Sequence, residues 1–294
     1  MPPGGFLGLP QELQDPARAR VRVLPIPYEA TVSYEAGTAE GPGAIIGASQ
    51  QVELYDQELD GEPCLEWGIH TLAPLVPTAA SMVQEVAAAA QAVVESGRLL
   101  LSLGGEHSIS PGLVRGVRRA AAAPLTVVQI DAHADLRDSY QDERYSHACA
   151  MRRILEENEG PLIQIGIRSW SREEASFIRA ASDRLTLWPA ERVHGMPAQA
   201  FLAQLRDSVR GRRLYLTIDV DGLDPSVVPA TGTPEPGGLS WSQTLDVVRT
   251  VCTSAQVVAV DCVELAPRTG LHASEFTVAK LLYKTLSYVM RARG

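Results

Sequence analysis

The sequence predicts an α/β fold built on a mainly parallel sheet, and three observations carry that prediction. Short apolar runs recur along the 294-residue chain. Most of them lack polar alternation, as expected of parallel strands covered on both faces. Longer helix-like stretches separate them, and strand followed by helix, repeated, requires crossover connections.

The strands are read in order at Val21–Pro25, Leu65–Thr71, Leu99–Leu103, Leu125–Ile130, Leu162–Ile167, Leu185–Trp188, Leu214–Ile218 and Val257–Val260. Helices are read at Thr78–Glu95, Ser108–Ala122, Arg172–Ala181, Ala198–Val209 and Ser240–Cys252. The first of these is alanine-rich and is opened by Pro77, a residue suited to a helix start. The stretch TGTPEPGG, Thr231–Gly238, reads as an ordered loop over a rigid core. With no internal repeat, low-complexity tract or linker, one domain over residues 1–294 is the simplest account, with 1–20 as an N-terminal arm.

Composition narrows the function. Hydrophobic residues make up 45% of the chain and charged residues 21%, ordinary values for a globular protein. No apolar run approaches the ~18 residues that a membrane span needs. The N-terminus has neither an early positive charge nor an apolar core, so it does not read as a signal peptide. A net charge of −9 argues against nucleic acid as a partner. Cys64, Cys149, Cys252 and Cys262 show no CxxC spacing and are expected to be free thiols in a reducing compartment, the cytoplasm.

The unusual residues fall where strands end. After Leu99–Leu103 comes Gly104-Gly105-Glu106-His107. After Leu125–Ile130 comes Asp131-Ala132-His133-Ala134-Asp135. After Leu214–Ile218 comes Asp219-Val220-Asp221, and after Val257–Val260 comes Asp261-Cys262-Val263-Glu264. In open α/β sheets ligands bind at the carboxyl ends of the strands, so these residues can converge on one rim. In extended chain, residues two apart project to one side, which groups Asp131, His133 and Asp135, and likewise Asp219 and Asp221.

Taken singly, an aspartate after a strand is a helix cap or turn residue, and a lone histidine is a hydrogen-bonded one. The set reads differently. Carboxylates crowded together need a raised pKa or a cation, and leaving them unpaired costs several kcal/mol. No lysine or arginine lies inside either cluster. A divalent cation supplies the compensation. Four aspartates and two histidines exceed the needs of one tetrahedral zinc and suit two ions spaced ~3.5–4 Å. Oxygen and imidazole donors without thiolate point to manganese-like ions. Two such ions can share one water and lower its pKa towards ~7.

These motifs resemble the ureohydrolases, the family of arginase and agmatinase. The similar stretches are GGEHS (Gly104–Ser108), DAHADLRD (Asp131–Asp138), SHACAMRR (Ser146–Arg153), IDVDGLDPS (Ile218–Ser226), TGTPEPGG and DCVELAP (Asp261–Pro267), in family order. The N-terminal LPIPYEATVSYEAGTAEGPGAI resembles the family more loosely. The resemblance implies a three-layer α/β/α sandwich on a sheet of about eight strands, and a homo-oligomer, trimer or hexamer. It implies one Mn2+ held by His107, Asp131, Asp135 and Asp219, and a second by Asp131, His133, Asp219 and Asp221, with Asp131 and Asp219 bridging. It implies His147 as proton shuttle, Asp135 as the group passing a proton to the leaving amine, and Glu264 as the acid gripping a small cationic guanidino substrate.

On substrate, the resemblance points to agmatine, giving putrescine and urea. An arginase-type asparagine is missing from Glu143–His147. Ala148-Cys149 replaces the Gly-Thr usual after the shuttle histidine in agmatinases. Arg152 and Arg153 read first as a solvated helix face or subunit contact, and second as partners for a carboxylate, which would favour guanidinobutyrate. Asp138 is a candidate support that orients a ligand or the loop, Glu106 either such a support or simply exposed, Asp224 a turn residue, and Tyr34 and Tyr145 cleft walls or core. His70, His194 and His272 read as structural, and Cys149 as a small wall residue. The alternatives are an arginase-type enzyme, a one-metal zinc deacetylase and a non-catalytic metal-binding relative.

Overall fold

A computed structural model describes residues 4–181 and 183–294. Its strands are β1 (Val21–Ile26), β2 (Ile69–Thr71), β3 (Leu99–Gly104), β4 (Thr126–Ile130), β5 (Leu162–Ile167), β6 (Leu185–Pro189), β7 (Arg213–Asp219) and β8 (Gln256–Val263). They form one eight-stranded sheet in the order β2-β1-β3-β8-β7-β4-β5-β6, and every neighbouring pair is parallel. The helices are α1 (Gly41–Ser49), α2 (Cys64–Trp67), α3 (Met82–Glu95), α4 (Ser110–Ala121), α5 (Ala150–Glu157), α6 (Arg172–Ala180), α7 (Ala190–Gly195), α8 (Ala198–Val209), α9 (Trp241–Ser254) and α10 (Ala273–Arg293).

The missing polar alternation in the strands has its explanation here. Leu99, Leu101 and Leu103 of β3 join an apolar core shared with α1, α8, α9 and α10. Leu100, between them, joins a second core with α3, α4 and α5. Both faces of the sheet are therefore covered, and the three-layer expectation holds. No helix among the described residues is long and apolar enough to cross a membrane.

Some elements differ from the sequence reading. In Leu65–Thr71 only Ile69–Thr71 is strand, because Cys64–Trp67 turns as a short helix that Gly68 ends with φ of 61°. Besides α2, the helices α1, α5, α7 and α10 lie outside the sequence reading. The glycines of α1 (GPGAIIGAS) argue locally for loop, but Ile45 and Ile46 are buried in the core. α5 is one of the shorter helices, and α10 is buried on most of its circumference, so it lacks a clean polar face. The N-terminal arm is packed down: the amides of Phe6 and Leu7 donate to Thr71 Oγ1 and Ser49 Oγ.

Candidate metal centre

β3, β8, β7 and β4 are consecutive in the sheet and parallel, so their carboxyl ends open on one edge. The four acid- or histidine-bearing segments leave from those ends. Gly105 makes the first exit possible, since a Cβ there would lie 2.0 Å from the carbonyl oxygen of Tyr28. Asp135 and Glu264 adopt left-handed backbone, with φ of 52° and 66°. Non-glycine residues pay of order 1–3 kcal/mol for this and hold it mainly where function requires the placement.

Two triads of ligand-type atoms form at the rim: His107 with Asp131 and Asp135, and Asp131 with His133 and Asp221. Asp131, fully buried, belongs to both. His107 Nδ1 lies 3.1 Å from Asp131 Oδ2, 3.1 Å from Asp135 Oδ2 and 3.4 Å from Asp219 Oδ2. It is nonetheless a buried nitrogen without a hydrogen bond. A ring nitrogen aimed between three carboxylate oxygens, aligned with none, suits an ion at their centre. His133 Nδ1 sits 2.9 Å from Asp221 Oδ2. Asp219 Oδ2 faces the first triad, while its Oδ1 accepts the amide of Asp221 at 2.9 Å. All six residues expected as ligands thus meet in one place, and the donor set fits two divalent ions.

The electrostatics are those of crowded acids. Burial, then Asp221 and Asp135, pushes Asp131 up to about 7. Burial, with Asp221 and Asp131, raises Asp219 well above the carboxylate range. Burial opposes charge on His133, but Asp221 and Asp131 lift it to about 10. Positive charge is what this site demands.

Supporting residues that the sequence reading left out hold the ligands. His107 Nε2 lies 2.9 Å from Thr217 Oγ1; with Nδ1 turned to the carboxylates as a ligand, Nε2 carries the proton and donates it to that hydroxyl. Gln129 donates to Asp131 Oδ2 at 2.6 Å and is itself held by Gln164. The amide of Ala132 donates to Asp221 at 3.0 Å. Glu174 accepts the Leu136 amide at 3.0 Å, fixing the DAHAD segment to α6. Arg168 donates to the carbonyls of Asp221, Glu235 and Pro236, tying the TGTPEPGG loop to the rim. Gln129, Gln164 and Thr217 carry one readable signal, polar side chains inside apolar strands.

The ligands open into a cleft of about 270 Å³ that also contains His147, Glu264, Thr31, Tyr34, Arg137 and Trp170. That is slightly below the usual size of a small-molecule site and suits a slender ligand. Glu264 Oε1 accepts the His107 amide at 2.6 Å; burial, then Glu106, raises its pKa well above the carboxylate range. Burial lowers the pKa of His147, with Asp135 opposing. The cleft's arginine is Arg137. Arg153 is buried on Asp138 and Glu156, and Arg152 lies 3.9 Å over the Phe177 ring, so neither is a solvated face and neither lines the cleft. Asp138 therefore orients an arginine rather than a ligand. Tyr145 packs beside Arg115 outside the cleft, whereas Tyr34 lines it. Asp224 is the turn residue expected, accepting the amides of Ser226, Gly237 and Gly238.

The profile of the Arginase family matches residues 19–287. The chain belongs to the arginase family. An N(1)-aminopropylagmatine ureohydrolase of Synechocystis sp. is 43% identical over 92% of this chain and 90% of that protein. One from Thermus thermophilus is 39% identical over 91% and 89%. The solved agmatine ureohydrolase of Thermoplasma volcanium superposes with a TM-score of 0.84 at 30% identity, covering 94% of this chain and 92% of that one. The chain is an arginase-family ureohydrolase, an enzyme of a binuclear metal-dependent family, with two groups of residues able to hold metal.

Proposed function

We propose that this enzyme hydrolyses the terminal guanidino group of a linear guanidino amine, N(1)-aminopropylagmatine ahead of agmatine, releasing urea and a polyamine. The convergence of six ligand-type side chains with Glu264 and His147 in one narrow cleft carries the reaction type. The preference for the longer substrate rests on the names of the relatives that are 43% and 39% identical. Agmatine is favoured by the sequence motifs and by the Thermoplasma structure.

Two divalent ions, Mn2+ in this reading, supply a water nucleophile at neutral pH when bound. His107, Asp131, His133, Asp135, Asp219 and Asp221 would hold them. Glu264 has one oxygen committed to the His107 amide, so its other oxygen receives the guanidinium in a charge-assisted hydrogen bond. Fixing the guanidinium carbon beside the nucleophile removes much of the entropy cost of attack. Asp135 passes a proton to the leaving amine, and His147 exchanges protons with solvent.

A urea assay with Mn2+ on aminopropylagmatine, agmatine, arginine and guanidinobutyrate tests this. The highest kcat/KM is expected on aminopropylagmatine. Preference for arginine or guanidinobutyrate overturns the substrate, and no urea from any of them overturns the reaction. The reading includes one domain, a cytoplasmic location and a trimeric or hexameric homo-oligomer. Light scattering on the eluted protein checks the last.

A further inference from the structure

Glu106 stands beside a metal-ligating histidine, yet it points away from the triads. It is 1% exposed. Its Oε2 accepts the amides of Ala30 and Thr31 at 2.7 and 2.6 Å, and its Oε1 accepts the hydroxyls of Thr31, at 2.9 Å, and Ser108. It thereby fastens the loop after β1 to the turn after β3. Thr31 Oγ1 is also 2.8 Å from His147 Nδ1 and 3.2 Å from the His147 amide nitrogen. On the other side of the ring, Ser33 Oγ is 2.7 Å from Nε2. Ser146 Oγ reaches Nδ1 only at 3.5 Å, and the Tyr140 ring meets the imidazole edge-on with centroids 5.8 Å apart.

Proton counting then decides the tautomer. A threonine hydroxyl has one proton and two lone pairs. Glu106, approached by two amides and two hydroxyls, acts as acceptor to all four. Thr31 gives it its single proton and must therefore accept from both nitrogens of His147 that approach it. Nδ1 carries the hydrogen, and Nε2 keeps its lone pair and accepts from Ser33.

We propose that Glu106 and Thr31 are positioning residues that lock His147 in its Nδ1–H tautomer, making Nε2 the nitrogen that takes up and releases the shuttled proton. The proton arrives at Nε2, gives an imidazolium with both nitrogens protonated, and departs from Nε2; Nδ1–H is retained throughout. Ser33, exposed at the cleft mouth, marks the route to solvent. The inference deepens the proposed function, because it rests on His147 acting as shuttle.

Its test has a spectroscopic and a kinetic arm on the full chain. Long-range 1H–15N correlation of the histidine rings, on protein loaded with diamagnetic Zn2+ and assigned with His147→Asn, is expected to show Nδ1 protonated and Nε2 bare. Thr31→Val should abolish that signature and Thr31→Ser keep it. With Mn2+, Thr31→Val and Glu106→Gln should lower kcat at least about tenfold, a part of the roughly 10²–10⁴ available to general acid–base catalysis. KM and metal content should stay within about twofold, with Thr31→Ser restoring most of kcat. A wild-type Nε2–H signature, or a Thr31→Val enzyme that keeps both signature and kcat, overturns the proposal, as does failure of Thr31→Ser to rescue. If wild type releases no urea from any guanidine, the functional reading fails while the tautomer result stands on its own.

Discussion

Thr217→Val tests whether the hydrogen bond behind His107 governs metal binding. Thr217 sits fully buried on β7, and its hydroxyl is the partner of His107 Nε2 at 2.9 Å. Valine matches the shape of threonine but removes the acceptor. The buried Nε2–H then goes unpaired, at a cost of about 1–3 kcal/mol. Loss of such an outer partner lowers metal affinity by roughly 10–100-fold, which is about 1.4–2.8 kcal/mol; the two figures agree. His107 belongs to only one triad, so one of two binding steps should weaken, while the step at Asp131, His133 and Asp221 stays within about twofold. Calorimetric titration of metal-free protein with Mn2+ measures both steps, with Thr217→Ser as control. Two unchanged steps, or equal weakening of both, would refute the idea that Thr217 acts through the orientation of one ligand.

Asp131→Asn removes charge from the residue common to both triads; metal analysis should find both ions lost and urea release gone, and a variant retaining two ions excludes that central place. His147→Asn should keep both ions while kcat falls by roughly 10²–10⁴; loss of metal would show that the ring serves the ligands instead. Burial, then Asp135, raises the Cys149 thiol to about 12, so in native protein at pH 8 it should resist iodoacetamide, and mass spectrometry showing rapid alkylation contradicts this. Burial alone would raise the pKa of Glu58, but Arg249, Lys284 and Tyr288 bring it down to about 2. Its stabilisation is therefore present above the unfolded value near 4.5 and is lost as pH falls towards 2. Glu58→Gln should lower the urea midpoint of metal-free protein at pH 7 and converge with wild type near pH 2; a difference independent of pH rules out the charge.

How much of this was legible depended on whether the signal was local. The strands announced themselves because burial on both faces leaves little but apolar residues, as in Leu99–Leu103. The convergence of the candidate ligand residues was legible because acids and histidines at strand ends violate what burial permits. What could not be read were contacts made by distance in sequence: Glu106 with Thr31, or Arg168 with Glu235, join segments 75 and 67 residues apart. The same holds for Arg153, whose burial follows from where α5 packs. The helix α1 was hidden for the opposite reason, since its glycines speak against helix and only the core it covers decides otherwise.

The residues able to hold metal hang from the stiff middle of the sheet, at the ends of β3, β4 and β7, each flanked by two neighbours. The mouth of the cleft, in contrast, is formed by Thr31–Glu35 and by Gly232 and Thr233, chain outside the regular strands. The buried acids with their histidines, and the chain that a ligand meets first, are thus mounted on separate parts of the scaffold. Substitutions among those mouth residues would alter what can enter without touching the buried acids beneath.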